Sequence, residues 1–553
     1  MKAKILLKCL SLSFMILLAT TAFSQQKVTG TVIDETGGGI PGVSVSVKGT
    51  TQGTITDGEG NYSLNVNGAN RTLVFSSIGF LTQEVAVSNQ SVINITIVED
   101  AQSLDEVIVT GYSITNKKES TAAASIVKAK DLQQIPSGNV EQQLQGRVAG
   151  LTVITNGQPG TASIIRVRGF GAFGGNEPLY VVDGIPVGSI DYVSPDDIAS
   201  TTVLKDAAAA SIYGARAANG VIVITTKQGT KGKRGVQVSY DGFVGFTDPN
   251  VGGQPQMLSP QEQADYTHIA YRNNAAANGT APQYTHPQYG NQAQATLPDW
   301  LHANGQNGVR GAIDRAAIDA AQAADPENVF LFAPNRAGTD WYDAITRTGL
   351  LMRHGLGFSG GTESSRFYMG INLQDQAGIL LNNDFKRYTF RMNSEFDLGK
   401  RVRFGENLQL TYRTVRGQIG GNNGLGVADN ESQILSAYRM PSTIPVYDEY
   451  GNFASTKAAG FNNPRNPVRE RENQRNDGNF SLFLTGNVYA EIEPIKDLVF
   501  RSSLGGNVGN FAYRFYSYRY LGDSEPQASN SFGEGSGYNL GWTLTNTAQY
   551  KFN

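Results

Sequence analysis

The residue types that carry most enzyme chemistry are thinly spread in this sequence. Its four histidines, His268, His286, His302 and His354, lack metal-ligand spacing. No nucleophile elbow, paired-carboxylate motif or phosphate-binding loop occurs. Gly169 to Gly174 spells G-x-G-x-x-G. A dinucleotide site needs that turn to open a helix, with an acidic residue about 20 positions on. Here Asn176-Glu177-Pro178 follow, and then a strand-like run, so a loop is expected instead. The acidic stretch Asp57 to Asn61 has two carboxylates and no distal Glu in calcium-loop register, so it reads as a hairpin turn. No catalytic residue, metal ligand or cofactor is assigned, and the chain does not read as an enzyme. What stands out is a set of charges among glycines between residues 166 and 220: Arg166, Arg168 and Gly169; Asp183 and Gly184; Lys205 and Asp206; Tyr213, Gly214 and Arg216; Asn219 and Gly220.

The chain that positions these residues has 553 amino acids, 64 of them Gly, with 9% aromatic and 17% charged. Glycine stands above its usual share of about 7% and points to β structure rich in turns. A net charge of -3 offers no basic field for nucleic acid. A mean hydropathy of -0.28 excludes a helical membrane protein. It does not exclude a β-barrel, whose strands alternate apolar and polar residues. Lys2, Lys4 and Lys8, the apolar run Leu10 to Leu18 and the small residues around Ala22-Phe23-Ser24 read as an export signal over 1–24. The only cysteine, Cys9, falls inside it, leaving a mature chain without disulfides or thiolates.

From 25 to 100, short β-rich runs (Val28 to Ile33, Val43 to Val47, Tyr62 to Val66, Thr72 to Ser76, Thr82 to Val87, Val92 to Val98) alternate with Gly and Asn turns. That pattern predicts a β-sandwich, and the segment resembles the carboxypeptidase-regulatory-like domain, a likeness of fold without peptidase activity. A linker over 101–116 contains the β-prone run Asp105-Glu106-Val107-Ile108-Val109-Thr110. It can be one more sandwich strand, or an extended peptide that adds to the edge of a partner's sheet. Residues 117–229 read as mixed α/β, with short helical pieces over Asp131 to Leu144, strands around Val153, Ile164 to Arg168, Leu179 to Val182, Thr202 to Leu204 and Val221 to Thr226, and an Ala-rich helix over Asp206 to Ile212.

Within that segment the runs Leu144-Gln145-Gly146-Arg147-Val148-Ala149-Gly150-Leu151, Arg166-Val167-Arg168-Gly169, Pro178-Leu179-Tyr180-Val181-Val182-Asp183-Gly184-Ile185-Pro186, Val203-Leu204-Lys205-Asp206-Ala207 and Ile212-Tyr213-Gly214-Ala215-Arg216-Ala217-Ala218-Asn219-Gly220 occur in order. This set resembles the plug of TonB-dependent outer-membrane transporters of the SusC/RagA type. The resemblance implies that Asp105 to Thr110 is a TonB box, gripped in the periplasm by TonB with its ExbB/ExbD energy-coupling proteins. It also implies a SusD-type surface lipoprotein as partner, and an oligosaccharide or peptide as the nutrient imported. Arg166, Arg168 and Arg216, costly to bury unpaired, are expected to meet inward carboxylates or backbone carbonyls in a polar lumen, the alternative being ordinary solvation.

The remainder, 230–553, alternates as membrane strands do. Phe367, Met369, Ile371 and Leu373 oppose Tyr368, Gly370, Asn372 and Gln374; Tyr388, Met392 and Phe396 oppose Thr389, Arg391, Asn393 and Glu395; Leu408, Leu410 and Tyr412 oppose Asn407, Gln409, Thr411 and Arg413. Similar runs lie over Phe480 to Ile492 and Tyr538 to Gln549, with further candidates over Val236 to Phe246, His354 to Gly361 and Leu498 to Phe511. Tight turns at Thr362 to Ser365, Gly399 to Arg401 and Ile495 to Asp497 alternate with long connections. The expected fold is therefore mainly β: an N-terminal sandwich, a mixed α/β plug, and the first part, about 8 of 22 strands, of an antiparallel transmembrane barrel in the cell outer membrane, the sandwich and TonB box being periplasmic. Eight strands enclose only their own side chains, so the chain reads as an N-terminal portion of a longer transporter or an incomplete gene model. A surface glycan-binding or adhesion protein is the competing class. Trp300, Trp341 and Tyr342, in a long connection, suit sugar stacking and loop packing equally.

Overall fold

The computed structural model describes residues 25–551 apart from 35–36, 51, 68–71, 78–79, 89, 99–106, 111–112, 117–122, 136, 156, 172–174, 233–234, 251, 303–304, 306, 418–432, 462–463 and 524–525. The expected export signal and Asp105-Glu106 thus lie outside the described residues. The chain forms two compact units.

In the first unit, β1 (Gln25–Ile33), β2 (Ser44–Val47), β3 (Gly53–Ile55), β4 (Asn61–Asn67), β5 (Thr72–Ser76), β6 (Gln83–Ala86) and β7 (Ile95–Thr96) form two sheets, ordered β4-β1-β7 and β3-β2-β5-β6. Two-residue periodicity sends Tyr62, Leu64 and Val66 of β4 into one core with Val28, Val45, Leu73 and Phe75. The short β3 has no apolar alternation and escaped the sequence reading. Asp57 to Asn61 is not a hairpin: it carries the chain from β3 in one sheet to β4 in the other. Its geometry is set by the Asp57 carboxylate, which accepts from the Glu59 amide at 3.0 Å and the Asn61 amide at 2.8 Å. These bonds hold the Asp57 carboxyl below its usual pKa.

The two strands that follow, β8 (Val107–Thr110) and β9 (Ser113–Asn116), form a two-stranded sheet of their own. Val107 to Thr110 is therefore not a further sandwich strand.

The second unit opens with a five-stranded sheet ordered β10-β15-β16-β13-β14, built from β10 (Ala124–Lys128), β13 (Leu179–Val182), β14 (Ile185–Val187), β15 (Ile198–Leu204) and β16 (Val221–Thr226). The hairpin β11 (Leu151–Ile154) and β12 (Ile164–Val167) and the short helices Ala129–Leu132 and Val140–Gln143 pack against it. The expected Ala-rich helix is only Ala207–Ala210, capped by Asp206, followed by 3-10 turns over Ser211–Ala217. Gly214, at φ 68° and ψ -158°, ends helical geometry there.

An antiparallel sheet of eight strands in chain order follows: β17 (Val236–Thr247), β18 (Gly349–Gly361), β19 (Ser365–Ala377), β20 (Asp384–Leu398), β21 (Val402–Arg416), β22 (Gly478–Ile495), β23 (Leu498–Ser517) and β24 (Ser531–Tyr550). The sheet is not closed, for β17 and β24 do not pair with each other. Its polarity is inverted relative to a water-soluble sheet. Leu408, Leu484 and Leu504 are 38%, 40% and 50% exposed, while Gln409, Thr485 and Asn487 are 1%, 6% and 5% exposed. The polar set faces the five-stranded α/β domain. At one end the strands are joined by tight turns. At the other, connections 248–348, 417–477 and 518–530 pack together around Leu301, Phe332, Trp341, Ile444 and Val468, with Leu380 from the short 378–383 link. This loop cluster has its own buried ion pair, Arg469 with Asp523, and the Arg469 guanidinium lies 4.1 Å over the Tyr520 ring.

Candidate functional site

The polar face of the eight-stranded sheet and the α/β domain meet through ionic and hydrogen-bonded contacts that are almost all buried. Asp183-Gly184 is the turn between β13 and β14, and both residues take positive φ, 47° and 86°. An Asp-Gly pair is suited to this two-residue turn. The turn aims the Asp183 carboxylate at β16 and the large sheet. It accepts from the Thr226 amide at 3.0 Å and the Thr226 hydroxyl at 2.8 Å, and pairs with the Arg391 guanidinium of β20. Arg391 also donates to Gln409, and Asn487 donates to the Asp183 carbonyl at 3.0 Å.

Three more carboxylates repeat the pattern. Asp191 pairs with Arg413 of β21 and accepts from the Ser189 hydroxyl at 2.7 Å. Asp196 meets Arg353 of β18 at 3.0 Å. Asp197 accepts from the Tyr368 hydroxyl at 3.0 Å and the Asn372 amide at 2.7 Å. Arg387 donates to the carbonyls of Asp191 and Gly138, each at 2.9 Å. Burial pushes the Asp196 and Asp197 carboxyls upward, and the neighbouring Arg353 and Arg391 respectively pull them back. Removing one partner from such a pair strands a buried charge, at a cost of about 3–5 kcal/mol. The interface is thus held by mutually dependent contacts, concentrated on residues 183–197 of the α/β domain and joined by the Ser137 and Gly138 carbonyls and by Thr226 and Lys227. Near the tight-turn end, Lys231 adds a bridge to Asp397 at 2.6 Å and Glu395 at 2.9 Å.

Of the residues singled out between 166 and 220, Asp183 alone belongs to this interface; Arg391, Arg413, Tyr368, Asn372, Asn393 and Gln409, named as polar strand positions, supply the other side. Arg166 takes the backbone-carbonyl option: it donates to the Ile165 carbonyl at 3.0 Å, pairs with Glu177 of its own domain at 3.2 Å and lies over Phe170. Arg168, at φ 59°, and Arg216 are exposed. Among the described residues, none of these three arginines pairs with a carboxylate of the eight strands, which corrects that expectation. In the three pairs Asp183–Arg391, Asp191–Arg413 and Asp196–Arg353 the distribution is the reverse: the α/β domain supplies the acid and a strand supplies the base. Gly169 follows at φ 91°, and none of the described residues 169–171 of the glycine-rich loop is helical; 172–174 lie outside the described set.

The other singled-out residues build the α/β domain itself. Asp206 caps Ala209 and also accepts from the Ala123 amide, which ties the edge strand β10 to the helix. Lys205 donates its amide to the Ala123 carbonyl at 3.2 Å. Tyr213 is buried with Leu204 and Val221. Asn219 donates to the carbonyls of Gly175 and Glu177. A Cβ on Gly220, at φ 87°, would lie 3.0 Å from Val167 and 3.1 Å from the Leu204 carbonyl. Trp341 is fully buried and donates to the Pro441 carbonyl at 3.2 Å, so it packs the loops. Tyr342 stacks on Tyr438. The sequence reading missed Asp191, Asp196, Asp197, Arg353 and Arg387. The available signal was arginine recurring at the polar positions of alternating strands.

Comparison with known proteins bears on the same segments. Residues 116–221 match the TonB-dependent Receptor Plug Domain family, and residues 28–109 match the CarboxypepD_reg-like domain family. A TonB-dependent receptor of Formosa agariphila is 34% identical over 521 residues, covering 92% of this chain and 44% of the relative. The TonB-dependent receptor SusC of Bacteroides thetaiotaomicron is 29% identical, covering 97% of this chain and 48% of its own length. The chain therefore spans about half the length of these curated relatives. Among solved structures, the RagAB peptide importer in its open-open state superposes with a TM-score of 0.61 at 26% identity, covering 81% of this chain and 47% of that one.

Proposed function

We propose that this chain, which belongs to the SusC/RagA-type TonB-dependent receptors, serves energy-coupled import of a nutrient across an outer membrane. The observation that carries this reading is the inverted polarity of the eight-stranded sheet. Its apolar residues face outward, and its polar residues hold an α/β domain. Hydrocarbon solvates such an outer face, whereas water does not. The described strands are then a stretch of transmembrane barrel wall, and residues 117–229 are the plug latched to its inner face. The tight-turn end is periplasmic, with residues 25–100 and the TonB box. The packed long connections are extracellular.

Import needs the latch to be stable at rest and releasable by work. TonB takes the segment Asp105, Glu106, Val107, Ile108, Val109 and Thr110 by strand addition and transmits force drawn from the ExbB/ExbD proton-driven motor. A SusD-type lipoprotein covers the loop cluster and delivers an oligosaccharide or peptide. No residue carries out bond-making chemistry in this scheme. In the protein expressed from its complete gene, deleting Leu104 to Thr110 abolishes uptake and leaves ligand binding intact. Uptake that survives the deletion contradicts energy coupling through this segment and favours a surface-binding protein.

A further inference from the structure

A cavity of about 390 Å³ lies between the α/β domain and the loop-proximal inner face of β21, β22 and β23. Ser189, Asp191, Arg413 and Ser481 give it a polar side, and Phe511 and Tyr513 an aromatic one. The aromatic side is built in a particular way. Phe511, Tyr513 and Phe515 of β23 stand directly opposite Gly537, Gly535 and Gly533 of β24. A Cβ on any of these three glycines would overlap the facing ring. Each ring therefore lies across bare backbone, with its other face turned to the lumen. Alternate residues of a strand are about 6.8 Å apart, so the three rings form a regular ladder that rises from the cavity toward the loops.

We infer that this cavity and its ladder are a subsite for a neutral saccharide, an assignment that rests on the import reading and names its substrate class. A sugar ring presents C–H groups on its faces and hydroxyls around its edge. Flat rings backed by glycine accept the first, and the polar wall accepts the second. The charges there are already balanced, with Asp191 held by Arg413 and by Ser189. They provide hydrogen-bond donors and acceptors without a net charge to draw a peptide terminus. A peptide that binds by strand addition would find no edge here, for β22 and β23 are paired on both sides.

The test is calorimetric titration of the detergent-purified protein, expressed from its complete gene, with maltohexaose, cellohexaose, laminarihexaose and xylohexaose, and separately with a tryptic digest of casein. The expected result is binding of at least one hexasaccharide and none of the digest. Tyr513→Ala and Phe511→Ala each weaken the sugar roughly tenfold, as loss of one aromatic contact implies, while Tyr513→Phe and the outward-facing Phe404→Ala bind as wild type. Binding of the digest alone, no sugar binding at millimolar concentration, or sugar affinity indifferent to both alanine variants overturns the assignment. TonB-box-dependent uptake of peptides would do so while leaving the import reading intact. Sugar binding with uptake indifferent to the TonB box would do the reverse.

Discussion

Asp183 and Arg391 meet where two differently built parts of the second unit touch, a turn carboxylate and a strand guanidinium whose side chains are 6% and 2% exposed. Asp183 is fixed from its own side by Thr226, and Arg391 by Gln409, so neither can relax toward water if the other is lost. Asp183→Asn keeps a residue that tolerates positive φ and removes only the charge. It should destabilise docking of the plug by about 3 kcal/mol. Urea titration of plug release measures this. The double variant with Arg391→Met should lose less than the sum of the two single changes.

A pH dependence of the opposite sense to a surface ion pair is expected from Glu141. Burial is the main cause that lifts its carboxyl from 4.5 to about 7, with Asp191 adding to the lift and the Ser163 amide opposing it. Between those values the folded plug holds a proton that the unfolded chain has released. Stability from this group is full below about pH 4.5 and falls as pH rises to about 7, by roughly 2–4 kcal/mol. Glu141→Gln should flatten that decline in unfolding free energies measured from pH 5 to pH 8. An unchanged slope would place the pH dependence elsewhere.

Two glycines separate strain from crowding. Gly184 and Gly220 have nearly the same φ, 86° and 87°, but a Cβ meets nothing within 4 Å at Gly184 and meets Val167 and the Leu204 carbonyl at Gly220. Gly184→Ala should cost about 1 kcal/mol, and Gly220→Ala clearly more, as read from thermal unfolding of the two variants side by side. Equal losses would mean that the packing at Gly220 is not tight.

The two faces of the eight-stranded sheet should respond unequally to charge. Leu484→Arg puts a guanidinium on the face assigned to hydrocarbon and should cost about 2–4 kcal/mol in a bilayer. The same change at Ser503, an inward-facing position on β23 next to Arg501 and away from the buried latch, should cost far less. Folding yields into lipid vesicles distinguish the two.

The eight long strands were legible in the sequence because two-residue alternation over a dozen positions admits one register. The same alternation placed Arg391 and Arg413 on the polar face. It did not say which domain supplies their counter-ions, because Asp191, Asp196 and Asp197 sit in a turn and a 3-10 segment with no period. β3, β10 and β14 were missed for the related reason that three to five residues hold too few repeats. β14 was nonetheless marked by Asp183-Gly184 before it, and its Pro186 suits the sheet edge it occupies. The loop cluster was illegible. Its core joins Trp341, Ile444 and Val468 from segments far apart in the chain, and pattern reading sees only neighbours.

The central claim is that the apolar face of β21 to β23 contacts lipid and the polar face contacts protein. Cys9 is the only cysteine among these 553 residues; with every cysteine other than the reporter replaced by Ser, single cysteines are placed at Leu408, Leu484 and Leu504, and at Gln409 and Thr485, and labelled with an environment-sensitive fluorophore. In vesicles whose acyl chains carry bromine, the account predicts strong quenching at the first three sites and little at the other two. Equal quenching on both faces, or stronger quenching at Gln409 and Thr485, would contradict it.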